Sequence, residues 1–410
     1  MVAGADPVAG TLSPRLLAQA PHRLMFFVGA SNVMLAMLWW ATWLADARWQ
    51  LFGLRQPQPY AGWLHAFVMQ YQMLPSFIFG FLLTVFPRWM GLPDIARRRY
   101  LPVGLGLFGG QLATLAGAFG FEPGVAVGYW MTLAGWLAGI VILGPLPWRE
   151  RGTTWHARSC LLGLSLGLLG LLAWGGFLLG GDARLAFASI KLGTFGLLLP
   201  VYFSVAHRMF PFFAGNVVAG YVAWRPLWLL AAVLALCLFH LGLELAHGYA
   251  WLWLADLPLL ALLLLATWKW WPRGKAPGLL LALFLGLAWL PLAMALYAAQ
   301  SLAYALSGDF LLGRAPAHAL FIGFFGSVLV AMVTRVTQGH SGRTLVMPKA
   351  AWFAFAAIQL VALARIFAEV LPEGMAWQAA AAAGWLVAFA PWVARIGGIY
   401  LAPREDGKPG

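Results

Sequence analysis

Eight histidines are the residues of this chain best suited to chemistry, and at least five of them fall at the ends of long apolar runs. A hydrophobic span tolerates an ionisable side chain only where it is paired, hydrated or bound to something. Neutral imidazole is also the commonest protein ligand for iron and copper. His65, His207, His318 and His340, with His22 beside the first run, therefore point to a metal-binding membrane protein. His65, Met69 and Met73 recur every fourth residue, which stacks them on one helix face with Gln72 alongside. Two histidines from different helices can hold a haem between them, with a thioether such as Met69 as an alternative axial ligand.

The elements that must position these side chains are membrane helices. Of 410 residues, 62% are hydrophobic and only 10% charged, where a soluble domain is nearer a quarter charged. Apolar runs separated by charged or Pro/Gly-rich breaks predict an all-α integral membrane protein, a bundle of twelve spans. The first six cover residues 24–45, 61–87, 100–120, 125–147, 158–180 and 183–207. The last six cover 224–246, 250–271, 278–305, 315–337, 349–370 and 376–399. No connection is long enough for a soluble domain, so residues 1–410 form one polytopic domain with short tails at 1–22 and 401–410.

Charge provides an independent check on the span count. One side of the predicted membrane receives Arg15, Arg23, Arg88, Arg97, Arg98, Arg99, Arg149, Arg151, Arg158, Arg208 and Arg225. It also receives Lys269, Arg273, Lys275, Arg335, Arg343, Lys349, Arg395, Arg404 and Lys408. The other side has only Arg48, Arg55, Arg184 and Arg314, with a mostly acidic remainder. Lysine and arginine collect in cytoplasmic loops, so both termini are expected in the cytoplasm and the protein in a bacterial inner membrane. The net charge of +13 is explained by this loop bias, and no nucleic-acid partner is expected. Cys160 and Cys237 lie in or beside apolar runs without a CxxC or CxxCH pattern, which excludes a covalent c-type haem and a thiolate zinc site. No removable signal peptide is read in the first 20 residues.

Depth in the membrane divides the histidines. His65 and His318 open their spans near the outer face, with His240 and His247 also on that side. His22, His207 and His340 lie toward the cytoplasm, among Arg88, Arg208, Arg335 and Arg343. His318 and His340 are separated along one helix by about 33 Å at about 1.5 Å per residue, so they cannot share an ion. The outer pair suits haem, and the inner three suit copper or simple capping of helix ends. The inner arginines, Arg208, Arg335 and Arg343, would also suit haem propionates. Lys191, near the outer end of its span, can pair with a propionate, serve proton movement or snorkel to headgroups. Asp256 is the main carboxylate inside a span, with Glu369 near an end, fewer than a proton-coupled transporter usually carries.

Three segments resemble the NnrS family, bacterial membrane proteins associated with nitric oxide metabolism. The first is His65-Ala66-Phe67-Val68-Met69 running on into Gly80-Phe81-Leu82-Leu83-Thr84 and Pro87-Arg88-Trp89. The second is Arg208-Met209-Phe210-Pro211-Phe212-Phe213 with Asn216. The third is His318-Ala319-Leu320 with Met332-Val333-Thr334-Arg335 and Gly339-His340-Ser341-Gly342-Arg343. The chain departs from the family pattern at Phe67 and Val68, where the pattern has His and Glu, and at His207, where many relatives have glycine. The resemblance implies twelve spans and a protein that binds haem b and copper and helps cells withstand nitric oxide. In that frame His65 and His318 are assigned to haem and His22, His207 and His340 to copper. Nitric oxide is the expected ligand, and reduction would need an electron donor the sequence does not name. A twelve-helix transporter or copper-delivery protein without catalysis is the alternative, to which Met69 and Met73 would be suited.

Overall fold

The computed structural model describes residues 12–407; residues 1–11 and 408–410, including Lys408 and much of the N-terminal tail, lie outside it. Within the described residues the chain is helical, with no β-strand. Twelve helices are long and apolar enough to cross a membrane. They are α1 (Pro21–Trp49), α2 (Ala61–Trp89), α3 (Arg97–Ala118), α4 (Gly124–Arg149), α5 (Trp155–Gly180) and α6 (Ala183–Val217). The second half supplies α7 (Leu227–Leu245), α8 (Tyr249–Trp270), α9 (Gly278–Ser307), α10 (Ala315–His340), α11 (Lys349–Phe367) and α12 (Gly374–Leu401). Each corresponds to one span expected from the sequence. Near the two ends of the described chain, the Ser13 amide donates to the Leu401 carbonyl at 2.8 Å; that contact defines a terminal face and an opposite face.

Two spans run further than charge suggested. α6 continues ten residues past His207 because Arg208 need not leave the helix: its guanidinium lies 4.6 Å over the Trp89 ring. α10 likewise carries Arg335, packed 4.0 Å over Phe213, and ends at His340 itself.

Helices α2, α9 and α10 are the most enclosed, and the rest surround them. α1 packs against α2 and α12, α12 against α11, and α9 against both α8 and α10. α3 and α4 approach most closely, and glycine permits it. A Cβ on Gly106 would stand 2.6 Å from Gly135 Cα, and one on Gly124 would stand 2.4 Å from the Gly117 nitrogen. Small residues that let backbones touch are a common basis for helix association in lipid. Gln72 then ties α2 to this pair, donating to Thr114 and Thr132 at 2.9 and 3.0 Å.

Three spans change winding part-way. Val68–Met73 in α2, Leu192–Leu198 in α6 and Ala319–Gly326 in α10 are π-helical. Such wide turns are rare and concentrate at functional sites. Here they begin within three residues after His65 and directly after Lys191 and His318.

Candidate haem cavity and histidine pairs

All three π segments border one cavity of about 360 Å³, enclosed by α1, α2, α6, α9, α10, α11 and α12. His65 and His318 both line it, as do Met69, Met73 and Lys191. The outer histidines and the two methionines therefore share one space. Gln72 does not share that space. The π turn shifts the register of α2, so Gln72 turns to Thr114 and Thr132 while Gln70 faces the cavity. Gln70 donates to Thr194 at 2.9 Å, joining the π segments of α2 and α6.

The two cavity histidines are held differently. The His65 ring stacks on Trp40, with centroids 4.3 Å apart and planes 11° from parallel. Its Nδ1 is buried and makes no hydrogen bond. His318 Nδ1 lies 2.9 Å from the Arg314 carbonyl, so Nδ1–H donates there and Nε2 is left with its lone pair. A backbone partner on one ring nitrogen is the usual means of orienting a ligating imidazole. An unbonded buried ring nitrogen is a group that a metal would satisfy.

The arginines at the cavity are not those expected. Arg314 and Arg365 line it; Arg365 is paired with Glu369 at 2.5 Å, and Glu369 also accepts from the Arg314 amide at 3.1 Å. Arg208, Arg335 and Arg343, which the sequence suggested for carboxylates, are engaged elsewhere. The first two lie over Trp89 and Phe213, and Arg343 meets Glu405 at 3.0 Å. Lys191 reaches the cavity, but its ammonium is bound 2.7 Å from Glu244. Glu244 is buried at the end of α7.

The inner histidines form two pairs instead of one trio. His22 and His340 face each other with ring centroids 4.3 Å apart, and the buried His22 Nδ1 has no hydrogen-bond partner. His207 instead meets His156, Nδ1 to Nε2, at 2.9 Å, while its own Nε2 lies 3.1 Å from the Pro226 carbonyl. His207 is drawn away because α6 continues as a helix at that point and presents it to the start of α5. Beside it, the Ser159 and Ser204 hydroxyls also bond. Among the described residues no three His, Cys, Asp or Glu side chains gather closely enough to hold a metal ion, so the three-histidine arrangement expected of His22, His207 and His340 is not formed. His156 carries no sequence signal beyond its position at the first turn of a span. Cys160 and Cys237 are free and buried, as expected for small apolar side chains.

A second, smaller cavity of about 70 Å³ lies between α1, α2, α6 and α10 and is lined by apolar side chains such as Phe26, Phe77 and Met332. Leu329 borders both cavities.

No curated protein matches the chain. The profile of the NnrS protein family matches residues 16–404, nearly the whole length, and takes in the cavity and both histidine pairs. The chain belongs to the NnrS family.

Proposed function

We propose that this is a haem-b protein of the bacterial inner membrane, also carrying copper, that acts in the response to nitric oxide by binding or reducing it at a haem in the His65–His318 cavity. The observation that carries the reading is the meeting of these two histidines, from α2 and α10, in one cavity, with His65 Nδ1 unsatisfied. The residues fit the group. His65 and His318 would hold the iron, with Met69 in reach of the same space, and Arg314 and Arg365 would meet the propionates. When bound, ferrous haem supplies a metal centre with high affinity for nitric oxide. Trp40 fixes the plane of His65, and the Arg314 carbonyl fixes the tautomer of His318. The apolar cavity that shares Leu329 with it would admit a small uncharged gas. The excess of arginine and lysine toward the terminal face supports cytoplasmic termini.

Copper is assigned to His22 and His340. Their rings are close enough for one ion to reach a nitrogen on each, and His22 Nδ1 is free to bind.

The test is the optical spectrum and metal content of detergent-purified protein. Wild type should show a Soret band with about one haem per chain, lost or much reduced in His65→Ala and His318→Ala and retained in His207→Ala. Copper should fall in His22→Ala and His340→Ala alone. Protein without haem in every preparation would refute the reading and favour a carrier.

A further inference from the structure

Behind the cavity wall lies a buried ionic cluster that ligand binding leaves unused. Lys191 Nζ donates to Glu244 Oε1 at 2.7 Å. One turn earlier on α7, His240 stands between two carboxylates, Nδ1 at 2.6 Å from Asp256 Oδ1 and Nε2 at 3.7 Å from Glu244 Oε1. His240 and Asp256 are fully buried and Glu244 is 5% exposed. The cluster shares the cavity wall: Lys191, Phe195 and Tyr297 line the cavity. Phe195 stacks on the His240 ring at 3.7 Å, and Tyr297 meets it edge-on at 5.8 Å. Cys237, Tyr249 and Tyr297 are the other titratable groups within electrostatic reach.

Charge counting shows what the cluster lacks. One ammonium and two carboxylates leave a net charge of −1 while His240 is neutral, and zero when it is an imidazolium. An unbalanced charge away from water is costly. Glu244 Oε2, Asp256 Oδ2 and His240 Nε2 are buried with no hydrogen-bond partner, so the site has unused capacity for one proton.

We propose that His240, clamped between Asp256 and Glu244, is a proton-loading site that binds one proton when negative charge enters the His65–His318 cavity, with Lys191 as its link to the cavity wall. In its redox form the proposal rests on the haem reading. A one-electron reductant such as dithionite adds one electron to the cavity, His240 takes one proton from water, and the local charge is unchanged.

The experiment is a redox titration of the haem-loaded full chain across pH. One proton per electron shifts the reduction equilibrium tenfold per pH unit, about 59 mV. Wild type should approach that slope, and His240→Phe and the near-isosteric Asp256→Asn should flatten it, the latter because removing one carboxylate already balances the cluster. A potential displaced equally at every pH, with the wild-type slope kept in both variants, would overturn the proposal. Should the protein carry no haem, ¹⁵N NMR of histidine-labelled protein decides the matter separately. A His240 ring that passes between one and two bound protons over about pH 5–8 upholds proton loading, and a ring fixed in one state overturns it.

Discussion

Replacing His240 by leucine should destabilise the protein more than replacing His240 and Asp256 together. In wild type the Asp256 carboxylate is fully buried and its Oδ1 lies 2.6 Å from His240 Nδ1. A neutral His240 donates its Nδ1–H to this carboxylate, and once the ring has taken up its proton the two unit charges at that distance attract by about 6 kcal/mol at an effective dielectric constant of about 20, before desolvation is counted. His240→Leu removes this partner and leaves a carboxylate in the membrane interior, which costs about 3–5 kcal/mol for a broken buried pair. Asp256→Val leaves only an unbonded ring N–H, about 1–3 kcal/mol. The double variant removes both polar groups while Lys191 and Glu244 still neutralise each other, so it should recover much of the His240→Leu loss. The assay is unfolding in mixed detergent followed by tryptophan fluorescence, arranged as a double-mutant cycle. Single effects that add, or a double variant less stable than His240→Leu, would show that the two side chains do not act as a coupled pair.

Three further outcomes follow from the packing and the cavity. Gly106→Val should lower stability by about 1–3 kcal/mol, because the new side chain meets the backbone of Gly135 and Met131. Gly109→Ala should be milder, since the obstacle there is the flexible end of Met131; thermal melts of the two variants check the contrast. Arg314→Ala should weaken haem retention by about 1.5–3 kcal/mol, as for a lost hydrogen bond to a charged group. Arg208→Ala should leave it unchanged, and haem transfer to apomyoglobin measures both. Leu329→Trp should slow nitric oxide association in flash photolysis while leaving the equilibrium spectrum intact, because Leu329 lines both cavities; an unchanged rate would rule out passage at that point.

Helix number and the depth of each histidine were legible because both depend on one-dimensional quantities, apolar run length and rise per residue. His318 and His340 fall at opposite ends of α10 because the spacing leaves no other outcome. What one helix face meets is a different matter. His207 was expected beside His22, but which neighbour it meets depends on the rotation of α6, and no residue near His207 encodes that His156 lies opposite. Arg208 was read as a terminator because a charge usually ends a span, yet Trp89, more than a hundred positions away in sequence, shelters it. The π turns are not legible in the sequence for a related reason. Their residues, such as Ala319–Gly326, are ordinary apolar side chains whose wide winding is imposed by the packing around them. Gln70, and not Gln72, faces the cavity as a direct result.

Those wide turns bear on how this protein tolerates insertions and deletions. Deleting one residue from an α-helix rotates everything beyond it by about 100°. A π turn already holds a surplus of about one residue, so a deletion within Val68–Met73 would be absorbed as ordinary α-helical winding that keeps His65 in line with the Gly80–Trp89 half of α2 and instead changes which side chains of the turn, such as Met69 and Gln70, face the cavity. The same holds where Lys191 and His318 precede their own wide turns. Loops between spans can gain or lose residues with little effect on the cavity, whereas at these three places chain length itself is a functional constraint.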